Sequence, residues 1–538
     1  MLRDFQAPGR SAVFGTNAMI ATSHPLASLV GVETMKRGGS AADAALAASA
    51  MLCVVEPHMT GIGGDCFALV AAPGAPTRAL MGSGPSPRGI DRAAVADTGL
   101  SAIPDDSPHA VNVPGAVAAW VALHAAHGRL PLAELMEPAA RVAEAGYAIA
   151  PRVARDWAVN APRLARRAET ASAFLKDGRP LAPGDVHRQP ALAATLRAIG
   201  RDGRAGFYEG AVADDMIATL RGLGGTHAHA DLAGVEATWV APIRGRFAGI
   251  DVVETPPNGQ GATALLILKA LESWDVWRAA RGPERLRLYA EATRAAYRLR
   301  DGAITDPAAM KVDLETFLGE EAVAFVRRAA ADPGPGPGSE RGTRDLGPIP
   351  WDTTPCETDT ICLSVVDPDG LVVSFINSLF HPFGSTLYAP RSGVLFHCRG
   401  ASFSLDAGHP NALAPGKHTM HTIIPGLVEA DGAPLMPFGV MGGQYQAAGH
   451  AHLMIRLFEE RLDLQSAIDA PRLFGYGGRT EVETGFDDET RARLAERGAA
   501  PETASAPIGG AQAVLIDRAR GVLVGASDPR KDGCALGW

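Results

Sequence analysis

The chain has 538 residues, 46% of them hydrophobic and 20% charged, with a net charge of −9. This composition excludes disorder except locally, and the acidic balance without a basic cluster argues against nucleic acid or an anionic membrane as the main partner. The length exceeds what one simple core carries, so two or more domains or one large multilayer domain are expected. Met1–Arg10 lack the charged head and apolar core of a secretory signal, and no run is long and apolar enough to span a bilayer, so the expected location is cytoplasmic. Six scattered cysteines (Cys53, Cys66, Cys356, Cys362, Cys398, Cys534) suggest free thiols, with neither a disulfide framework nor a zinc ribbon.

In chain order, Met19–Ser28 reads as a short apolar strand running into a helix that ends at Gly38-Gly39. Ser40 caps an Ala-rich helix from Ala41 through Val54, apolar all round and therefore expected to be buried. Thr60-Gly61-Ile62-Gly63-Gly64-Asp65 precedes the strand Cys66–Val70 and has no Lys, which makes it a poor phosphate loop; its glycines suit close backbone packing. From Val113 to about Asp156 the spacing is helical. His227-Ala228-His229 has the form of a two-imidazole metal motif, but no strand pattern precedes it and no second ligand cluster stands out, so an exposed loop is expected and no metal. Val252–Glu254 is a strand, followed by a turn through Pro256-Pro257-Asn258-Gly259-Gln260-Gly261 and a helix through Leu265, Leu268 and Leu271.

Residues 332–359 are rich in Pro and Gly and read as a flexible segment. Directly after it comes a hairpin: Cys362–Val366, the turn Asp367-Pro368-Asp369-Gly370, then Leu371–Ile376. A hydroxyl residue, Thr360, opens the first strand. Taken alone, Thr360 is an ordinary β-former at a strand start. Further on, Phe438–Gln444 ends a strand in Gly442-Gly443, a helix follows around His450–Phe458, and closing strands lie near Ala513–Ile516 and Val522–Gly525.

The threonine before Ser364-Val365-Val366-Asp367-Pro368-Asp369-Gly370, together with the Gly-Ile-Gly-Gly and Gly442-Gly443 stretches, resembles the γ-glutamyltransferase (γ-glutamyltranspeptidase) family of N-terminal nucleophile hydrolases. The likeness runs from about Ala21 to Ser527. It implies an α+β fold, a four-layer αββα sandwich built from two subunits cut from one chain, with residues 1–359 as the large subunit and 360–538 as the small one. Cleavage is expected between Asp359 and Thr360, with Thr360 as nucleophile, Ser378 holding its hydroxyl, and the amides of Gly442 and Gly443 receiving the oxyanion. No metal or organic cofactor is needed, and a homo-oligomer is compatible with the sequence.

Two departures bear on the substrate. Where glutamyl enzymes carry an arginine for the α-carboxylate, this chain has Met81 or Ser83; where they carry an aspartate for the α-amino group, it has Ser402. A guanidinium's two-pronged grip on a carboxylate has no substitute in Met or Ser. Arg399 stands nearby instead, and His421-Thr422 occupies the place of the family's Ser-Ser pair; with Asn377 these are the expected substrate contacts. The chain is therefore closer to the oxamate amidohydrolase-type members than to true glutathione enzymes. The expected activity is hydrolysis of a small anionic amide through an acyl-enzyme. Two alternatives stay open: a true γ-glutamyltransferase or glutathione hydrolase, and an unprocessed binding protein.

Overall fold

The computed structural model describes residues 9–97, 99–332, 360–477, 479–496 and 501–538. Two seven-stranded sheets dominate. In chain order their strands are β1 (Val13–Gly15), β2 (Met19–Thr22), β3 (Asp65–Ala71), β4 (Arg78–Gly82), β5 (Thr238–Val240), β6 (Ile243–Phe247), β7 (Ile250–Glu254), β8 (Ile361–Val366), β9 (Val372–Ser378), β10 (Pro425–Ala430), β11 (Ala433–Met441), β12 (Gly510–Asp517), β13 (Val522–Ser527) and β14 (Cys534–Gly537). One sheet runs β14-β2-β8-β9-β3-β4-β5 and the other β1-β13-β12-β11-β10-β7-β6, with every pairing antiparallel. Both sheets contain strands from before residue 332 and from after residue 360, so neither part of the chain forms a sheet alone.

The sheets pack face to face over Met19, Leu69, Val253, Val366, Val372, Leu427 and Val514, and each carries helices on its outer face over a larger apolar core. This is the α+β, αββα sandwich. Because both faces of a central strand are covered, β8, β9 and β3 are buried at every residue and lack the in-out alternation of a half-exposed sheet. Near the site the two sheets meet through small polar groups. Ser374 Oγ donates to Phe438 O (2.7 Å), Ser364 Oγ to Gln512 O (3.2 Å) and Cys362 Sγ to Gly439 O (3.3 Å). These contacts set β11 alongside the β8–β9 hairpin and send its end, Met441-Gly442-Gly443, toward the Thr360 end of β8.

The hairpin turn forms as expected. Gly370 takes the left-handed conformation (φ +82°), and the Asp367 carboxylate accepts from the amides of Asp369 (3.0 Å) and Leu371 (2.9 Å). The Ala-rich helix α1 (Ala41–Val55) is buried at all fifteen positions. Ser40 and Asp43 form a capping box at its start, and Ala41 N donates to Asp367 Oδ2 (2.9 Å), which ties the helix to the hairpin turn. The helical stretch after Val113 is three helices, Ala116–His127, Leu132–Ala145 and Pro151–Leu164, broken at Pro131 and Gly146.

The expected exposed loop at His227 is not found. His227 is buried against the main chain, its Nε2 at 2.8 Å from Val111 O, while His229 opens a short helix and pairs with Asp214 (2.8 Å). Among the described residues no cluster of His, Cys, Asp and Glu could hold a metal, five cysteines are free thiols, and no helix is long and apolar enough to cross a membrane. Cys356, Asp359 and residues 333–359 of the segment read as flexible lie outside the described residues. Replacing Ser40 by Ala removes the side-chain half of the capping box and is expected to cost about 1 kcal/mol. A lower urea midpoint with unchanged turnover per folded molecule checks this.

Candidate active site

Thr360 precedes β8, and Ser378 ends β9. The pairing of Ile361 with Asn377 brings the two hydroxyls together: Thr360 Oγ1 and Ser378 Oγ share a hydrogen bond of 2.9 Å, both buried. Ser378 Oγ also accepts from the Phe380 amide (2.9 Å), so its position is set by the main chain beyond the strand. Phe380 holds φ +80°, a strained conformation for a bulky residue, which turns the chain sharply here. On the other side, β3 approaches so closely that a Cβ on Gly64 would lie 2.3 Å from Ser378 O, which accounts for the glycine run before Asp65. Gly442 has φ +126° and a Cβ there would meet Gly509, so only glycine suits this turn.

Asn377 points away from the hydroxyl pair. Its amide donates to Thr60 Oγ1 (2.8 Å) and Gly61 O (3.1 Å), and its carbonyl accepts from Trp120 Nε1 (3.2 Å). It secures the glycine run and has no amide hydrogen left for a ligand. His421 is similarly engaged: Nδ1 accepts from Ile423 N (3.2 Å), so Nε2 carries the hydrogen and donates to Asp65 Oδ2 (3.0 Å). Burial and the neighbouring Arg399 push its pKa down to about 3, so it is a neutral supporting group at neutral pH and not a second cation for a carboxylate.

Arg399 is different. Its guanidinium is buried, stacks over the Phe380 ring (4.0 Å), and donates from Nη1 to Thr422 Oγ1 (2.8 Å). The opposite edge, Nε and Nη2, has no hydrogen-bond partner among the described residues, and neither has the buried Ser402 hydroxyl. Burial lowers the Arg399 pKa to about 10, with Asp65 and Cys398 acting against the drop, so it stays charged. Asn411 fixes the surrounding loop, donating to Ser402 O (2.6 Å) and Thr419 Oγ1 (3.0 Å) and accepting from Met420 N (3.0 Å). Ser83, at the place of the missing arginine, accepts from Asn258 Nδ2 (3.1 Å); Met81 is on β4.

Four residues that sequence reasoning did not single out shape the site: Asp65, His397, Phe380 and Asn411. Asp65 Oδ1 accepts from the amides of Gly84 (3.2 Å) and Gly115 (3.1 Å), while Oδ2 faces His421 and, at 3.4 Å, His397 Nδ1. Burial raises its pKa, but His397, His421 and Arg399 together outweigh that and hold it at about 2. A charged residue closing a glycine run at the start of an otherwise apolar strand was the available signal. Phe380 and Asn411 carried none, because their roles arise from contacts with distant segments.

The sandwich, with its two hydroxyls at a hairpin end beside a double-glycine turn, is that of the N-terminal nucleophile hydrolases. Residues 27–538 match the family model described as gamma-glutamyltranspeptidase, and the chain belongs to that family. It is an enzyme of the amidohydrolase and acyltransferase class. It is 35% identical to the glutathione hydrolase-like YwrD proenzyme of Bacillus subtilis (98% of this chain, 99% of that protein). It is 34% identical to the oxamate amidohydrolase proenzyme of Klebsiella pneumoniae (98% of this chain, 100% of that protein). The crystal structure of cephalosporin acylase from Bacillus halodurans superposes with a TM-score of 0.89 at 34% identity, covering 100% of this chain and 99% of that one.

Burial also depresses His24, His187 and His227, each to about 4. With His421 they stay neutral in the fold, while the unfolded chain takes up protons below about pH 6.5. The unfolded state then binds more protons, so the stability these four histidines contribute is full above pH 6.5 and falls as the pH drops toward 4, and toward 3 for His421. Urea midpoints at pH 7, 6 and 5 are expected to decline in that order; equal midpoints would contradict it.

Proposed function

We propose that this protein is a self-processing amidohydrolase that cleaves its chain between Asp359 and Thr360 and then uses Thr360 to hydrolyse a small anionic amide of the oxamate type. On this reading residues 1–359 and 360–538 are the subunits. The observation that carries the substrate class is Arg399: a buried, charged guanidinium whose Nε–Nη2 edge has no hydrogen-bond partner among the described residues, as the buried Ser402 hydroxyl on the same short helix has none. A buried cation with free donors is costly, and a carboxylate held by two parallel hydrogen bonds satisfies that edge. The absence of arginine at Met81 and Ser83 and of an aspartate at Ser402 favours a substrate with one carboxylate and no ammonium group. The name of the Klebsiella relative agrees in chemistry.

Thr360, freed at its α-amine, has a built-in base with a reference pKa near 8. The amine takes the hydroxyl proton while Ser378 holds Oγ1, and the alkoxide attacks the amide carbon. The amides of Gly442 and Gly443 receive the oxyanion, the leaving nitrogen takes the proton, and water resolves the ester by the reverse path. Thr422 keeps Arg399 in place through Nη1. His421 and Asn377 support this arrangement from behind. A cytoplasmic location accords with a small metabolite as substrate.

Intact mass under denaturing conditions tests the first half: two fragments are expected for the wild type, the smaller beginning at Thr360, and one 55.9 kDa chain for Thr360→Ala. An uncut wild-type chain after long incubation would instead favour a binding protein. For the second half, Arg399→Met is expected to process normally but to lose roughly 100-fold in kcat/KM for oxamate, the scale of a lost charge-assisted pair, and Arg399→Lys to restore little of it. Unchanged oxamate affinity in Arg399→Met, or glutathione turnover matching that of oxamate, would overturn the assignment.

A further inference from the structure

We infer that Arg300 and Gln260 are positioning residues for the acyl-transfer step, holding the Gly442–Gly443 turn where its amides meet the oxyanion. The inference rests on the oxyanion role given to that turn above. A pair of glycines at φ +126° and +52° has wide conformational freedom and no side chain with which to anchor itself. Oxyanion donors are effective only when fixed before the charge develops. Something outside the turn has to hold it.

Helix α2 (Gly282–Ala303) supplies the anchor from behind. Arg300, in its last turn, has no solvent exposure. Nε donates to Asp301 Oδ1 (2.7 Å), and the guanidinium lies 4.2 Å from the Tyr297 ring. Its Nη1 donates to two amide oxygens at once, Gln260 Oε1 and Gln444 Oε1, each at 2.7 Å. Pinning the oxygen of Gln260 decides which way its amide faces. Gln260 Nε2 therefore points at the site, donating to Thr422 O (2.8 Å) and Gly443 O (3.1 Å). Tyr297 also donates to Gln444 O, one residue further along.

One buried cation thus holds the carbonyl of Gly443 and the flank of the turn at Gln444. Through the same Gln260 amide it also holds Thr422, whose hydroxyl receives Arg399. The oxyanion turn and the substrate-carboxylate anchor share a support that contacts neither the substrate nor the reacting atoms. The polar edge of Gln260, rather than its volume, is what the relay uses.

The test compares Gln260→Met, Gln260→Glu, Arg300→Met and Arg300→Lys in the full chain, with oxamate as the amide, and with glutathione if that is the one the wild type turns over. Rates are expressed per processed chain, counted by intact mass. Gln260→Met keeps the length and removes every hydrogen bond; Gln260→Glu keeps the shape and places an acceptor against Gly443 O. Both are expected to lower kcat about 10- to 100-fold, the scale of a small misplacement of catalytic groups, and, because the same amide holds Thr422 behind Arg399, to raise KM as well. Arg300→Met should match them, and Arg300→Lys should recover part of the loss because an ammonium still donates to the two oxygens. A purely structural role would reduce the amount of processed protein and leave kcat per processed chain at the wild-type value, and that result in either Gln260 variant would overturn the relay. Gly442→Ala separates the two layers of the argument. Wild-type kcat in Gly442→Ala would remove the oxyanion reading and the relay with it, whereas a large loss there beside unchanged Gln260 variants would remove the relay alone.

Discussion

A carboxylate shut away from water must find its compensation inside the protein, and at the centre of this fold Asp65 does so with groups from four distant segments. Its Oδ1 takes the amides of Gly84 and Gly115, its Oδ2 takes the hydrogen of His421, and His397 and Arg399 add to the field that keeps it ionised. Because Asp65 pairs with Ser378 across β3 and β9, this charge cluster is held directly behind the hydroxyl pair. The site's electrostatics and its backbone geometry therefore have one origin.

The same economy applies to the two arginines that are fully buried among the described residues, Arg300 and Arg399. Arg300 is the more fully engaged: Nε donates to Asp301 and Nη1 to Gln260 and Gln444, while Nη2, without a hydrogen bond, is ion-paired with Asp301 at 2.6 Å. Arg399 is half used, with Thr422 on one nitrogen and an aromatic ring beneath, and its remaining edge open. Two identical side chains, both withdrawn from water, thus differ in the number of partners the fold supplies, and the proposed division into a scaffold and a recognition role rests on that difference. That contrast is more informative about function than burial or charge taken singly.

Family membership and the αββα architecture accord with the expectation drawn from the hairpin after Thr360 and from the glycine stretches. Such signals survive in a sequence because they are local: a turn needs Asp and Gly at fixed offsets, and a close strand approach needs glycine. The reading of His227 as exposed failed for the complementary reason. A histidine between loop-forming residues looks solvated until the main chain at Val111 is brought against it. Which way the hydrogen bonds of Asn377 and His421 face is likewise decided by Thr60, Gly61, Trp120 and Asp65, none of them adjacent in sequence.

The amino-acid sequence by itself determined the hairpin with its Asp-Pro-Asp-Gly turn, the buried Ala-rich helix with its Ser40 cap, and the glycine stretches where the backbone packs closely. All of these follow from residue type and spacing within a few positions. Only the tertiary structure decided that Thr360 and Ser378 share a hydrogen bond, that Asp65 gathers two histidines and an arginine, that one edge of Arg399 has no hydrogen-bond partner among the described residues, and that Arg300 reaches the Gly442–Gly443 turn through Gln260. Each of those depends on desolvation and on partners far apart in the chain, and the energy of a buried polar group is set by what surrounds it in space.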